Sequence, residues 1–130
     1  MSIEAVSDIT YGGQSAFNGG GVSPKGLSVS FSGKPTASQF IGGGVAPYAF
    51  TLNAAASFFV SRVTFSSAAT FIIQRNGAQI GTITFNAGTN AAAPSFSQTS
   101  IALGEVIDII APSTPDATGA DIRGILREAV

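Results

Sequence analysis

The side chains that most often do chemistry are scarce in this sequence, and the few present are poorly spaced for it. There is no histidine and no cysteine. Their absence removes the usual general base, the Ser–His–Asp triad, thiolate catalysis, disulfides and nearly every zinc or iron–sulfur ligand set. Paired carboxylates could still serve as acid and base on a glycosidic bond. Of the seven acids, Glu105 and Asp108 are the close pair away from the termini. Their three-residue offset at the start of a strand points them to opposite faces, so a solvated turn and an exposed strand position are expected instead of a dyad.

Asp116 and Asp121, with the carbonyls of the loop between Pro115 and Ala120, offer the oxygen chemistry that calcium takes. No EF-hand spacing accompanies them, and an Asp in a turn more often accepts backbone N–H groups. The clusters Gly19-Gly20-Gly21 and Gly42-Gly43-Gly44 do not match a phosphate-binding GxxxxGK[ST] loop and read as flexible loops. Six basic residues against seven acids give a net charge of −1 and no footprint for nucleic acid. Arg123 and Arg127, alternating with Ile122 and Leu126, could form a small patch with Lys25 or Lys34, and ordinary ion pairs with Asp121 and Glu128 explain them as well. With no tryptophan and only Tyr11 and Tyr48 as phenols, a sugar-stacking stripe is not evident. The expectation is a non-enzyme with no cofactor and no metal.

The elements that must carry these residues read as strands. A chain of 130 residues, 45% apolar with ten Phe, fits one domain with its own core. Leu27, Val29 and Phe31 alternate with Ser28, Ser30 and Ser32, the period of a half-buried strand. A second strand is expected from near Tyr48, with Phe50 and Leu52 on one face. Phe58, Phe59, Val60, Val63 and Phe65 form a run apolar on both faces, which predicts a central strand. Phe71 to Arg75, then Asn76-Gly77, then Ala78 to Phe85 is the pattern of a two-residue type I′ hairpin. Unbroken pairing across that turn would oppose Phe71 to Thr82. A bulge at Gly81 brings Phe71 opposite Ile83 and gathers Phe71, Ile73, Ile80, Ile83 and Phe85 on one face. Asn86 to Pro94 reads as a loop, Phe96 as a short strand, Val106 to Ile110 as an apolar strand, and Ile122 to Leu126 as a final strand rather than a helix.

Seven to nine short strands predict an all-β, antiparallel β-sandwich of Greek-key or jelly-roll type over residues 26–130. Gly12 to Lys25 holds five glycines and one proline, so residues 1–25 are expected to form an extended, Gly-rich N-terminal arm. The acidic MSIEAVSDIT start does not resemble a secretory signal, and the apolar stretch from Val45 to Val60 is broken by Pro47 and Asn53, so no membrane partner is expected.

Only 10% of residues are charged, and none lies between Pro35 and Ser61 or between Asn76 and Gly104. Such tracts favour surface buried against other subunits. The segments Phe71 to Gly77, Ile80 to Ile83, Leu103 to Pro112 and Asp116 to Thr118 resemble β-sandwich modules of tailed-bacteriophage virion proteins, found in tail fibres and as head decoration or cement proteins. The resemblance implies a virion part without saying which; with the small size, few charges and Gly-rich arm, the expectation is a head decoration protein, made in the host cytoplasm and favoured on the outer surface of the head, that binds and stabilises the assembled capsid lattice. Its expected partners are the major capsid protein or other virion subunits and copies of itself, a trimer being favoured, with no nucleic acid. Tyr11, Phe17, Val22, Phe40, Ile41 and Tyr48 are the expected assembly contacts. A tail-fibre or tail adaptor module and a lectin-like, carbohydrate-binding sandwich are the alternatives.

Overall fold

The computed structural model describes residues 9–10, 15–17 and 26–129. Its strands are β1 (Ile9–Thr10), β2 (Ser15–Phe17), β3 (Gly26–Phe31), β4 (Phe40–Val45), β5 (Phe50–Val63), β6 (Ala69–Arg75), β7 (Ala78–Phe85), β8 (Ala91–Ala92), β9 (Pro94–Phe96), β10 (Ser100–Ile101), β11 (Val106–Ile110) and β12 (Ala120–Glu128). No helix occurs among the described residues. Two five-stranded antiparallel sheets pack as a sandwich. One, the β5 sheet, runs β10-β5-β12-β3 with β8 also on β5; the other, the β6 sheet, runs β4-β11-β6-β7-β9. The expected arm lies outside the described residues except for β1 and β2, which pair with each other.

The local rules hold where turn chemistry and pattern agree. Asn76 and Gly77 have φ of 51° and 86°, the pair of positive angles a type I′ turn requires. The bulge is present: Phe71 pairs with Ile83, Gly81 pairs with Ile73, and Ile80 is the extra residue. Phe71, Ile73, Ile80, Ile83 and Phe85 all face inward, none more than 1% exposed. A Cβ on Gly81 would lie 2.6 Å from the Ser95 carbonyl oxygen, so glycine here lets β9 close onto β7. The chain ends in a strand as expected, and β12 lies between β3 and β5.

Three readings are corrected. Gly42-Gly43-Gly44 is not a loop: the three residues lie within β4 and pair with Ile109, Asp108 and Ile107 of β11. A Cβ on Gly42 would meet Val29 Cγ1 at 2.7 Å, and one on Gly44 would meet Leu27 Cδ1 at 2.8 Å. The edges β3 and β4 of opposite sheets approach too closely for side chains there, a tertiary reason for residues that local propensity reads as breakers. The run at Phe58 lies on β5, the central strand expected, flanked by β12 and by β8 and β10; within it Phe59 is 1% exposed, while Phe58 is 50% and Val60 39%. A two-layer sandwich covers only one face of each sheet. The strand expected from near Tyr48 begins at Phe50, and the loop after Phe85 contributes Ala91–Ala92 as β8 on β5. Gly19-Gly20-Gly21 lies outside the described residues.

The core is centred on phenylalanine. Phe65 and Phe85 stack with centroids 4.4 Å apart, and Phe71 stands edge-on to both. Burying each ring is worth about 1.5–3 kcal/mol and each aromatic pair about 0.5–1.5 kcal/mol more. Glycine makes room for the rings. A Cβ on Gly119 would sit 2.4 Å from Phe65, and one on Gly124 would sit 2.1 Å from Phe59. Where β5 departs from β12 between Asn53 and Phe58, the buried Ser57 hydroxyl accepts from Arg127 N at 2.9 Å and donates to Asn53 O at 2.7 Å, so the interrupted ladder leaves these groups satisfied.

Gly124→Ala forces the Phe59 ring from its place and is expected to cost about 1–3 kcal/mol in urea unfolding. Adding Phe59→Leu to that variant should recover part of the loss; an unchanged midpoint in Gly124→Ala alone would show that the contact is not tight.

Candidate functional site

Each acid singled out by spacing is placed separately. Glu105 closes the turn before β11, where its carboxylate accepts from Ala102 N at 2.7 Å and lies 3.8 Å from Arg75 Nε. Asp108 points outward from β11, because its neighbours Ile107 and Ile109 are buried. The two carboxylates therefore form no dyad, as the offset predicts.

Asp116 is a structural acceptor. Its carboxylate takes hydrogen bonds from the amides of Ser66, Ser67, Thr118 and Gly119 and from the hydroxyls of Ser66 and Ser67, while the Thr118 hydroxyl donates to Thr64 O at 2.7 Å. Partial desolvation raises its pKa, but the donors from Gly119, Ser66, Thr118 and Ser67 outweigh this and hold the carboxyl well below the usual carboxylate range. Oxygens surrounded by N–H and O–H groups present the wrong environment to a cation. Asp121 serves a different loop, accepting from Gly33 N at 2.7 Å with its own φ at 57°. It lies 3.9 Å from Arg62, so the partner expected for Arg123 is engaged elsewhere. Lys34 donates to Ala117 O and ties the same loops together.

The expected assembly contacts divide. Tyr11 and Val22 lie outside the described residues, and Phe17 stands on β2. Phe40 is 60% exposed on β4, whereas Ile41 next to it is 5% exposed and belongs to the core, so it offers no contact surface. Tyr48 is half-buried, donates to Glu128 Oε1 at 2.8 Å and stands edge-on to Phe50. With Leu27, Val45, Ala46 and Ile107 these residues line a groove of about 230 Å³ whose rim includes Gly26.

Register and burial together define two outer faces that residue spacing alone does not show. On the β6 sheet, one row runs Phe40, Ile110, Ile72, Thr82 and Ser95, a second runs Gly43, Asp108 and Gln74, and a third pairs Val45 with Val106. Val45 is 64% exposed, Val106 38%, and Leu103 in the adjoining turn 69%. On the β5 sheet, one row runs Phe58, Ile125 and Ser28, and the next runs Ala91, Val60, Arg123 and Ser30. The charge-free tracts were the available signal for these faces: Phe40, Val45, Phe58 and Val60 lie in the first and Leu103 in the second.

Because the Asp116 carboxyl titrates lower in the folded chain than unfolded, its contribution is present above the unfolded value near pH 4 and is lost as pH falls below it. Asp116→Asn is expected to lose about 2 kcal/mol at neutral pH and to flatten the acid limb of stability between about pH 5 and pH 2. Urea midpoints measured across that range test this, and parallel curves for variant and parent would count against it.

No protein-family model matches this chain and no match is found among curated proteins, which leaves the two outer faces and the groove as the ground for a functional reading.

Proposed function

We propose that the chain is a non-enzymatic structural subunit of a virion, a head decoration protein that binds the assembled capsid lattice and stabilises it. The observation that carries this reading is the exposure of Phe40 and Val45, 60% and 64%, on the outer face of β4, with Leu103 69% exposed in the turn before β11, in a protein with only 10% charged residues. Large apolar side chains grouped on a charge-poor sheet face favour association over a free surface. The resemblance of the hairpin and of the Leu103 to Pro112 segment to phage virion modules supports a virion as the setting.

The mechanism is linkage. A subunit that binds the assembled lattice and not its parts lowers the free energy of assembly by RT ln(1 + [L]/Kd), about 2.7 kcal/mol per site at a hundredfold excess over Kd. The major capsid protein is the partner, a symmetric homo-oligomer is the docking unit, and residues 1–25 extend the contact. A tail-fibre or adaptor module is the second reading, and a glycan-binding sandwich the third.

Quantifying the chain in purified particles separates them: many copies on the head support decoration, a few at the tail support a fibre or adaptor, and absence from particles sinks both. A glycan array tests the third. Phe40→Ser combined with Val45→Ser is expected to abolish binding to purified shells by separating the homo-oligomer that docks, without lowering the unfolding midpoint, since both side chains are exposed. Deleting residues 1 to 24 should weaken shell binding and leave the sandwich folded.

A further inference from the structure

The two outer faces carry opposite charge. In the outward rows of the β6 sheet formed by β4, β11, β6 and β7, the single charged residue is Asp108, set among Phe40, Ile72, Ile110, Val45 and Val106. Gly43 lies beside it in register, and a Cβ there would come within 2.7 Å of Asp108 Oδ1, so the carboxylate leans over the strand partner that has no side chain. Asp108 engages no ion-pair partner among the described residues. On the β5 sheet, Arg123 stands exposed between Val60 and Ser30, with Phe58 and Ile125 in the adjoining row. It too has no ion-pair partner among the described residues, because Asp121 lies by Arg62.

The β6-sheet face is thus an apolar patch whose one charged residue is the acid Asp108, while the β5-sheet face, where Arg123 stands with Arg127 further along β12 and with the Arg62–Asp121 pair, is net basic among the described residues. Packing either face on its own copy would press like charges together in apolar surroundings, which is costly. Packing one on the other sets an acid against a base while both patches leave water. We infer that a second copy of this chain is the occupant: the β6-sheet outer face of one copy docks on the β5-sheet outer face of the next, with Asp108 facing Arg123. This rests on the reading above only in taking the exposed faces as assembly surfaces. The contact is heterologous, using different patches on the two partners, so repetition generates a closed ring or an open filament instead of a two-fold dimer.

Sedimentation velocity of the full chain through the micromolar range tests the inference. The parent is expected to associate with concentration. Asp108→Arg and Arg123→Asp should each weaken association by about tenfold or more. The double variant D108R/R123D should regain it, because the exchange restores opposite charges across every junction. An equimolar mixture of the two single variants should also associate, in alternation. The recovery shows that the single variants fold, and circular dichroism of each checks it directly. A parent that stays monomeric, an Arg123→Asp variant that associates as the parent does, or a double variant that fails to recover overturns the inference. Self-association of a chain absent from particles would remove the virion reading and leave this one. Presence in particles of a chain monomeric in solution would do the reverse.

Discussion

Phe59 covers Gly124 on the inner side of the β5 sheet, and much of the architecture follows from that pairing. The ring occupies the space beside a strand partner with no side chain, so a bulky residue and an empty one fill a single layer of the core. Phe65 over Gly119 repeats the arrangement and carries the chain into the cluster with Phe71 and Phe85. At the side of the sandwich, Gly42 and Gly44 receive Val29 and Leu27 from the opposite sheet. Glycine therefore acts here as packing space, which close-packed interiors need wherever large rings or neighbouring edges approach.

A core built from paired large and empty positions leaves little for polar side chains to do inside, and those present are tied to the backbone. Ser57 bridges the interrupted ladder between β5 and β12, and Asp116 gathers the donors of two loops. Acids at a suggestive spacing are thereby committed to structure. The residues not committed in this way stand on the outer faces, where apolar side chains and single charges face away from the core. That division connects packing to function: the buried hydroxyls and the loop carboxylates are used to hold the backbone, and the outer faces keep what association requires.

The hairpin and its bulge were legible because the information is local. Asn76-Gly77 sets the turn, and the inward set of Phe71, Ile73, Ile80, Ile83 and Phe85 allows one register only. The β3 alternation and the final strand were legible for the same reason, since period-two patterning and turn residues act over a few positions. The Gly42 to Gly44 strand was not, because its cause is the approach of Val29 and Leu27 from another sheet. The run at Phe58 was legible as a central strand, while which of its apolar faces points out of the sandwich was not. Of the expected contacts, Phe40 proved exposed and Ile41 buried, a distinction set by the pleat of β4 and its bulge against β11.

By itself the sequence determined an all-β chain with a type I′ hairpin, and through the lack of histidine and cysteine it set what chemistry the protein does not have the residues for. Those are properties of residue type and short-range spacing. Tertiary structure alone decided which apolar residues are core and which are surface, because burial depends on which sheet covers which face. It also decided that Asp108 and Arg123 stand on opposite outer faces without an ion-pair partner among the described residues, since Asp121 is drawn to Arg62 and Arg75 to Glu105.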